Sequence, residues 1–236
     1  MLSKNYNKLL IILVEIKPRE LDSRLLIASH ALKKGFNIII GEKNTILRAA
    51  QLRLLPLGVI LDKCAQPISL NKIKRLKKIG YKFTSLDEEA LAIADEKNFA
   101  LSRYSKETIN ESDIIFTWGN KHHRIMKKYY NNIEESKFVK TGNPRITLLT
   151  DKPRFKKYYQ NEIDKIKNNY KGRIILFPSN FSYYTFNANI SFKDYMMKSN
   201  LLHKDIDGLI KTYKKNYYAF IDLLNDMSKK FINDSL

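Results

Sequence analysis

Short apolar runs and amphipathic stretches take turns along this chain, and that alternation narrows its fold more than any other feature. Lys8–Ile16 (KLLIILVEI) is nearly continuous in apolar residues. This is the pattern of a strand buried on both faces of a parallel sheet. Pro18 breaks the run. From Glu20 the period lengthens, with Leu21, Leu25, Ala28 and Leu32 at helical steps and Gly35 closing the helix. Phe36–Ile40 reads as a second strand, closed by Gly41. Ile46–Leu55 reads as a helix stopped by Pro56, and Gly58–Leu61 as a third strand. Ser69 is placed to cap a helix carrying Leu70, Ile73, Leu76 and Ile79, with Gly80 at its end. Tyr81–Leu86 is the fourth strand, followed by helical stretches at Asp87–Ala94 and near Asn98–Tyr104. Asp113–Trp118 is the fifth strand, Lys121–Tyr130 a helix, and Lys137–Thr141 the sixth strand.

Strands alternating with helices predict an α/β fold with a parallel, Rossmann-like sheet and helices on both faces, over residues 1–150. Right-handed crossovers gather the loops after the strands at one edge, where ligands bind in such sheets. After Gly142 the texture changes. Residues 151–170 are charged and helical, a linker helix. Arg173–Phe177 begins a new strand, 178–200 is an irregular stretch rich in Asn, Ser, Tyr and Phe, and Ile206 through Leu224 form the clearest amphipathic helix of the chain. Residues 151–236 therefore read as a linker plus an incomplete second α/β domain. One strand and one helix do not bury a core, so these elements pack back on the first domain or a second polypeptide completes them.

Several classes of protein drop out. The single cysteine, Cys64, allows no intramolecular disulfide and no cluster of thiolate ligands, and suits a buried thiol in a reducing compartment. The apolar run at Leu9–Val14 ends at Glu15 and Lys17, too short for a secretory signal, and no window has the length of a membrane span. The expected location is the cytoplasm, or a peripheral position at the inner face of the membrane. No G-x-G-x-x-G follows the first strand and no G-x-x-x-x-G-K-[ST] occurs, which argues against a nicotinamide dehydrogenase and a P-loop nucleotidase. No serine-hydrolase elbow and no clustered metal ligands are present, so neither metal nor cofactor is expected. The net charge of +19 favours anionic partners, whether phosphate-bearing substrates, acidic lipid head groups or nucleic acid, or else reflects a habit of composition. The charge is spread evenly and no nucleic-acid motif accompanies it, which counts against nucleic acid.

Four segments at the ligand edge carry chemistry. In Lys17-Pro18-Arg19-Glu20-Leu21, Arg19 and Arg24 would reinforce the anion preference of a helix N-terminus, and Glu20 is either a base or sugar-hydroxyl partner or a complement to the helix dipole. In Trp118-Gly119-Asn120-Lys121-His122-His123, Gly119 permits close backbone approach, Asn120 caps the next helix, and His122 contacts a phosphate or is simply structural. In Gly142-Asn143-Pro144-Arg145, the glycine supplies a tight turn and Arg145 a phosphate fork, or the segment is a rigid interdomain turn. Ser179 and Asn180 follow the new strand, lining a cleft or forming a polar turn.

Taken in order, K-P-R-E-L-D-S-R-L-L-I-A (17–28), I-I-I-G-E (38–42), F-T-W-G-N (116–120), T-G-N-P-R (141–145) and I-I-L-F-P-S-N-F (174–181) resemble the bacterial surface carbohydrate biosynthesis protein family, over about residues 8–181. That family is similar to GT-B glycosyltransferases, with two Rossmann-like domains and a cleft between them. The resemblance implies capsule or lipopolysaccharide assembly, a nucleotide-sugar donor, and a glycan or lipid-linked acceptor. It also implies that Glu20, Asn120, Asn143, Arg145 and Asn180 line the cleft. Two positions depart from the family pattern: Thr147 stands where an Asp is common, and Pro178 where an Asn is usual.

Overall fold

The computed structural model describes residues 8–150, 152–170, 174–178 and 205–230. The chain divides into two compact units, Met1–Lys157 and Tyr158–Leu236. The first unit is a six-stranded, all-parallel, Rossmann-like sheet. In chain order its elements are β1 (Leu9–Val14), α1 (Lys17–Lys33), β2 (Asn37–Glu42), α2 (Lys43–Gln51), β3 (Val59–Asp62), a 3₁₀ turn (Pro67–Ser69), α3 (Leu70–Ile79), β4 (Lys82–Leu86), α4 (Glu96–Arg103), α5 (Lys106–Glu111), β5 (Ile114–Thr117), α6 (Asn120–Tyr129), β6 (Phe138–Lys140) and α7 (Pro144–Leu148). The spatial order is β2-β1-β3-β4-β5-β6. The chain therefore steps from β1 to one side and then returns past it, so β1 and β3 flank the point where the winding reverses.

That reversal segregates the helices. With right-handed crossovers, α1 lies on one face of the sheet and α2 to α6 on the other. The main core agrees: Leu9, Ile11, Leu13, Ile60, Phe83, Ile115 and Phe138 point to the α2–α6 side. There they meet Leu47, Ile73, Leu76, Ala100, Ile109, Ile125 and Met126. The alternate strand residues, among them Ile12, Leu61 and Leu86, face the other way, on the side of Ala28 from α1.

All six expected strands form, with shifted ends. α1 begins at Lys17, not Glu20, because Pro18 sits in the first turn, where a missing N–H costs nothing. β2 runs through Gly41 to Glu42 because pairing with β1 continues as Leu13↔Gly41 and Val14↔Glu42. Glu42 then caps α2 by accepting from the N–H groups of Asn44 and Thr45 at 2.8 and 2.7 Å. Ser69 makes no side-chain cap on α3. α5 and α7 are additional short helices.

The helix expected at Asp87–Ala94 does not form, and this segment is a bent loop. Its acidic residues suggest a helical first turn, but Asp87 and Glu88 are buried in ion pairs that a surface helix would not permit.

α8 (Pro153–Tyr158), all but its last residue in the first unit, and α9 (Gln160–Asn169) of the second unit replace the single linker helix, and α10 of the second unit spans Ile206–Lys230. The expected strand at Arg173–Phe177 is absent from the described residues 174–178. A lone strand there has no partner to satisfy its backbone among the described residues. Phe177 instead meets Phe220 of α10 edge to face, with ring centroids 6.5 Å apart.

Candidate functional site

The loop after β4, Asp87-Glu88-Glu89, holds together the segments that end β1, β5 and β6. The main-chain oxygen of Asp87 accepts from Trp118 Nε1, in the loop after β5, and from Asn143 Nδ2, in the turn after β6, the latter at 3.4 Å. The Asp87 carboxylate accepts from Arg103 Nε at 2.8 Å. Glu88 is fully enclosed, 3.0 Å from Arg24 Nη2 and 3.4 Å from Arg145 Nη1. Glu89 lies 3.2 Å from Arg19 Nη1, and Arg19 Nη2 lies 3.7 Å from Glu20. Residues spread from 19 to 145 in sequence thus meet at the carboxyl edge of the sheet.

Burial dominates the electrostatics. It pushes the Glu88 carboxyl above its ordinary range, with Arg24 and Arg145 drawing it back and Glu20 adding to the rise. Asp87 is likewise raised by burial, which outweighs the pull of Arg103. Glu20 is wholly buried; one carboxylate oxygen accepts from the N–H of Glu15 at 2.7 Å, and the other has no hydrogen-bond partner. The Arg24 guanidinium is 0% exposed, and its ion pair with Glu88 is its one polar contact among the described residues.

The arginines expected to contact an anion each have a carboxylate partner. Arg19, Arg24 and Arg145 are matched against Glu20, Glu88 and Glu89, so the cluster carries no surplus positive charge. Arg24 has no surface at all, and Glu20 lies beneath the surface rather than facing an acceptor.

Beside this cluster is a cleft of about 400 Å³, lined by Trp118, Gly119, Asn120, His122, Gly142 and Asn143 among others. Gly119, not Asn120, is the N-cap of α6, and no side chain caps that helix; Asn120 is its first residue. A Cβ on Gly119 would meet nothing within 4 Å, so the helix N-terminus opens directly onto the cleft. The side-chain amide oxygen Oδ1 of Asn120 accepts from Lys140 Nζ at 3.4 Å. Gly142 has φ +79°, a left-handed conformation that explains the glycine. Asn143 caps α7 through the N–H of Arg145 at 2.8 Å.

His122 is buried. Its Nδ1 accepts from the N–H of Trp118 at 3.3 Å, which leaves the proton on Nε2, 3.3 Å from Tyr104 Oη. Burial, with the His123 charge, lowers its pKa to about 4. It is therefore neutral near pH 7 and holds the loop after β5, rather than supplying a cation to a phosphate. Ser179 and Asn180 lie outside the described residues.

Sequence reasoning missed the acidic hub Asp87-Glu88-Glu89, although three acids at the carboxyl end of a strand were a usable signal. It also missed a second cluster at the winding reversal. There buried Asp62 lies 2.9 Å from Lys43 and 3.2 Å from Lys72, and Glu15 lies 2.9 Å from Lys63. Burial alone would raise Asp62, but the two lysine charges bring it below its ordinary value.

Among the described residues, no group of three or more potential metal ligands comes together, and no helix is long and apolar enough to cross a membrane. Comparison with protein-family models, curated proteins and solved structures finds no match.

Proposed function

We propose that this chain is the Rossmann-like half of a GT-B-type glycosyltransferase that assembles bacterial surface polysaccharide from a nucleotide-activated sugar. The observation that carries the reading is the convergence of the loops after β4, β5 and β6 on one cleft at the carboxyl edge of the sheet, with Arg19, Glu20 and Arg24 of α1 tied to the ion-pair cluster beside it. Ligands bind at this edge in sheets of this class. In this reading the cleft admits the donor sugar, to whose hydroxyls Asn120 offers its amide, while Asn143, whose amide is engaged with Asp87 and Arg145, shapes the cleft wall. The carboxylate–arginine cluster positions the loops, with Glu20 and Glu88 as its buried acids. Base catalysis by Glu20 would require the Arg19–Glu89 contact to open.

A second reading is a binding subunit that needs another polypeptide to complete the cleft. It is favoured by the internal neutralisation of Arg19, Arg24 and Arg145, which leaves little charge to stabilise a departing phosphate.

Calorimetric titration of the folded chain with CMP-, UDP- and GDP-sugars tests both. Saturable binding of one nucleotide class, weakened by Asn120→Ala, supports the first reading once transfer to an acceptor is detected. Binding without transfer supports the second, and no response to any nucleotide sugar removes donor binding from this chain.

A further inference from the structure

Among the described residues, the sheet face away from α2–α6 is only partly roofed. Between α1 and α7 runs a groove of about 430 Å³. Its floor is Leu61, Leu86 and Phe116, from three adjacent strands, and its wall is Leu26, Ile27 and Ala31 of α1. Among the described residues its titratable lining groups are His30 and Lys34, and no carboxylate lines it. Gly142 and Thr147 line both this groove and the polar cleft, so the two cavities adjoin. The cleft too has no carboxylate among its described lining residues, includes Lys121, and receives the N-terminus of α6, which no side chain of these residues caps. An apolar trough of ligand size thus leads into a polar pocket whose charge bias is positive.

We propose that this joined path binds an anionic amphiphile: one hydrocarbon chain lies along Leu61, Leu86 and Phe116, and a phosphate head enters the cleft beside Asn120. The inference rests on the sugar-transfer reading, for which it names the acceptor class as lipid-linked. A concave trough of this volume suits a single chain better than a flat bilayer surface, and the lack of lining carboxylates matches an anionic head.

The test uses farnesyl phosphate, added to the full chain below its micelle concentration, with farnesol and inorganic phosphate as controls. Calorimetry gives affinity, and fluorescence of the one tryptophan, Trp118 in the cleft, reports the head. The expected result is saturable one-to-one binding of farnesyl phosphate, at least about tenfold tighter than inorganic phosphate, a factor that burial of only about two methylenes supplies, and tighter than farnesol, which lacks the charged head. Ala31→Phe fills the groove from a half-buried position on α1 and should weaken binding by a similar factor. Ala31→Lys, which puts a charge in the same place, serves if the first variant does not fold.

Equal affinity for inorganic phosphate, or unchanged binding in a folded Ala31 variant, overturns the proposal. So does concentration-dependent dimerisation of the wild-type chain that either variant abolishes, because a second copy would then occupy the groove. Nucleotide-sugar binding with no farnesyl phosphate binding sinks the lipid site alone. The converse leaves the lipid site standing and removes the sugar-transfer reading.

Discussion

Replacing Arg24 by methionine isolates the energetics of the buried cluster. The Arg24 and Glu88 side chains are 0% and 1% exposed and 3.0 Å apart. The variant leaves Glu88 enclosed with Arg145 alone, 3.4 Å away and one-third exposed. Breaking a buried pair from one side costs about 3–5 kcal/mol, and the surviving Arg145 contact places the expected loss near the lower end, about 3 kcal/mol. For a unit of this size the melting temperature should fall by about 6–12 °C.

Arg24→Met combined with Glu88→Leu removes both charges and should recover most of that loss, because apolar replacement of a buried pair is close to neutral. The pH dependence has a definite sign. Glu88 is raised in the folded state, mainly by burial. Its favourable contribution is therefore present below the ordinary glutamate value and is lost as pH rises through the folded value. Removing Arg24 raises Glu88 further, so the deficit of the single variant should be largest near about pH 8 and shrink toward about pH 5. Urea and thermal melts of both variants across that range provide the assay. A deficit independent of pH, or a double variant no more stable than Arg24→Met, would refute the reasoning.

Three other outcomes follow from the geometry. Asp113 accepts from Lys77 Nζ and from the N–H of Phe83, both at 2.8 Å; burial pushes its carboxyl up, but these bonds and the Lys77 and Lys82 charges bring it below the ordinary aspartate value. Its stabilisation is present above that ordinary value and lost as pH falls through the lower folded one. The wild type should thus lose about 1–2 kcal/mol on strong acidification that Asp113→Asn does not, as read from acid-range denaturation curves. Gly58→Ala would place a Cβ 2.7 Å from the main-chain oxygen of Leu9, and should cost about 1–3 kcal/mol in chemical denaturation; a change within about 0.5 kcal/mol would contradict the packing. The His122 imidazole, with its pKa lowered to about 4, should show flat NMR shifts from about pH 8 to 5, and a midpoint near the usual histidine value would disprove its enclosure.

Periodicity made the sheet legible because parallel strands buried on both faces carry their signal in a few consecutive residues. Leu9–Val14 and Val59–Asp62 needed no long-range information. Strand ends were harder: Gly41 looked like a stop, yet register with Val14 and its neighbours carries β2 through it to Glu42. Asp87–Ala94 failed for a deeper reason. The choice between helix and loop was set by Arg24, Arg103 and Arg145, up to 64 residues from their partners in the chain (Arg24 to Glu88), and no local pattern announces a partner at that distance. The site followed the same rule. Gly142 was readable as a turn, whereas the cap by Asn143 went unread, and the neutralisation of Arg19 and Arg145 depended on acids assigned to a helix that does not form.

The central place of β1, with β2 on one side and β3 on the other, bears on synthesis. Once Asp62 has left the ribosome, three neighbouring strands and both of their connecting helices are already available to one another. β4, β5 and β6 then add outward in the order in which they emerge. At about 5–20 residues per second the growing sheet offers each new strand a finished edge within a few seconds. A circular permutant opened between β1 and α1 would deliver β1 last, leaving β2 and β3 without the strand that joins them until synthesis ends, and should give a larger aggregated fraction than the native order.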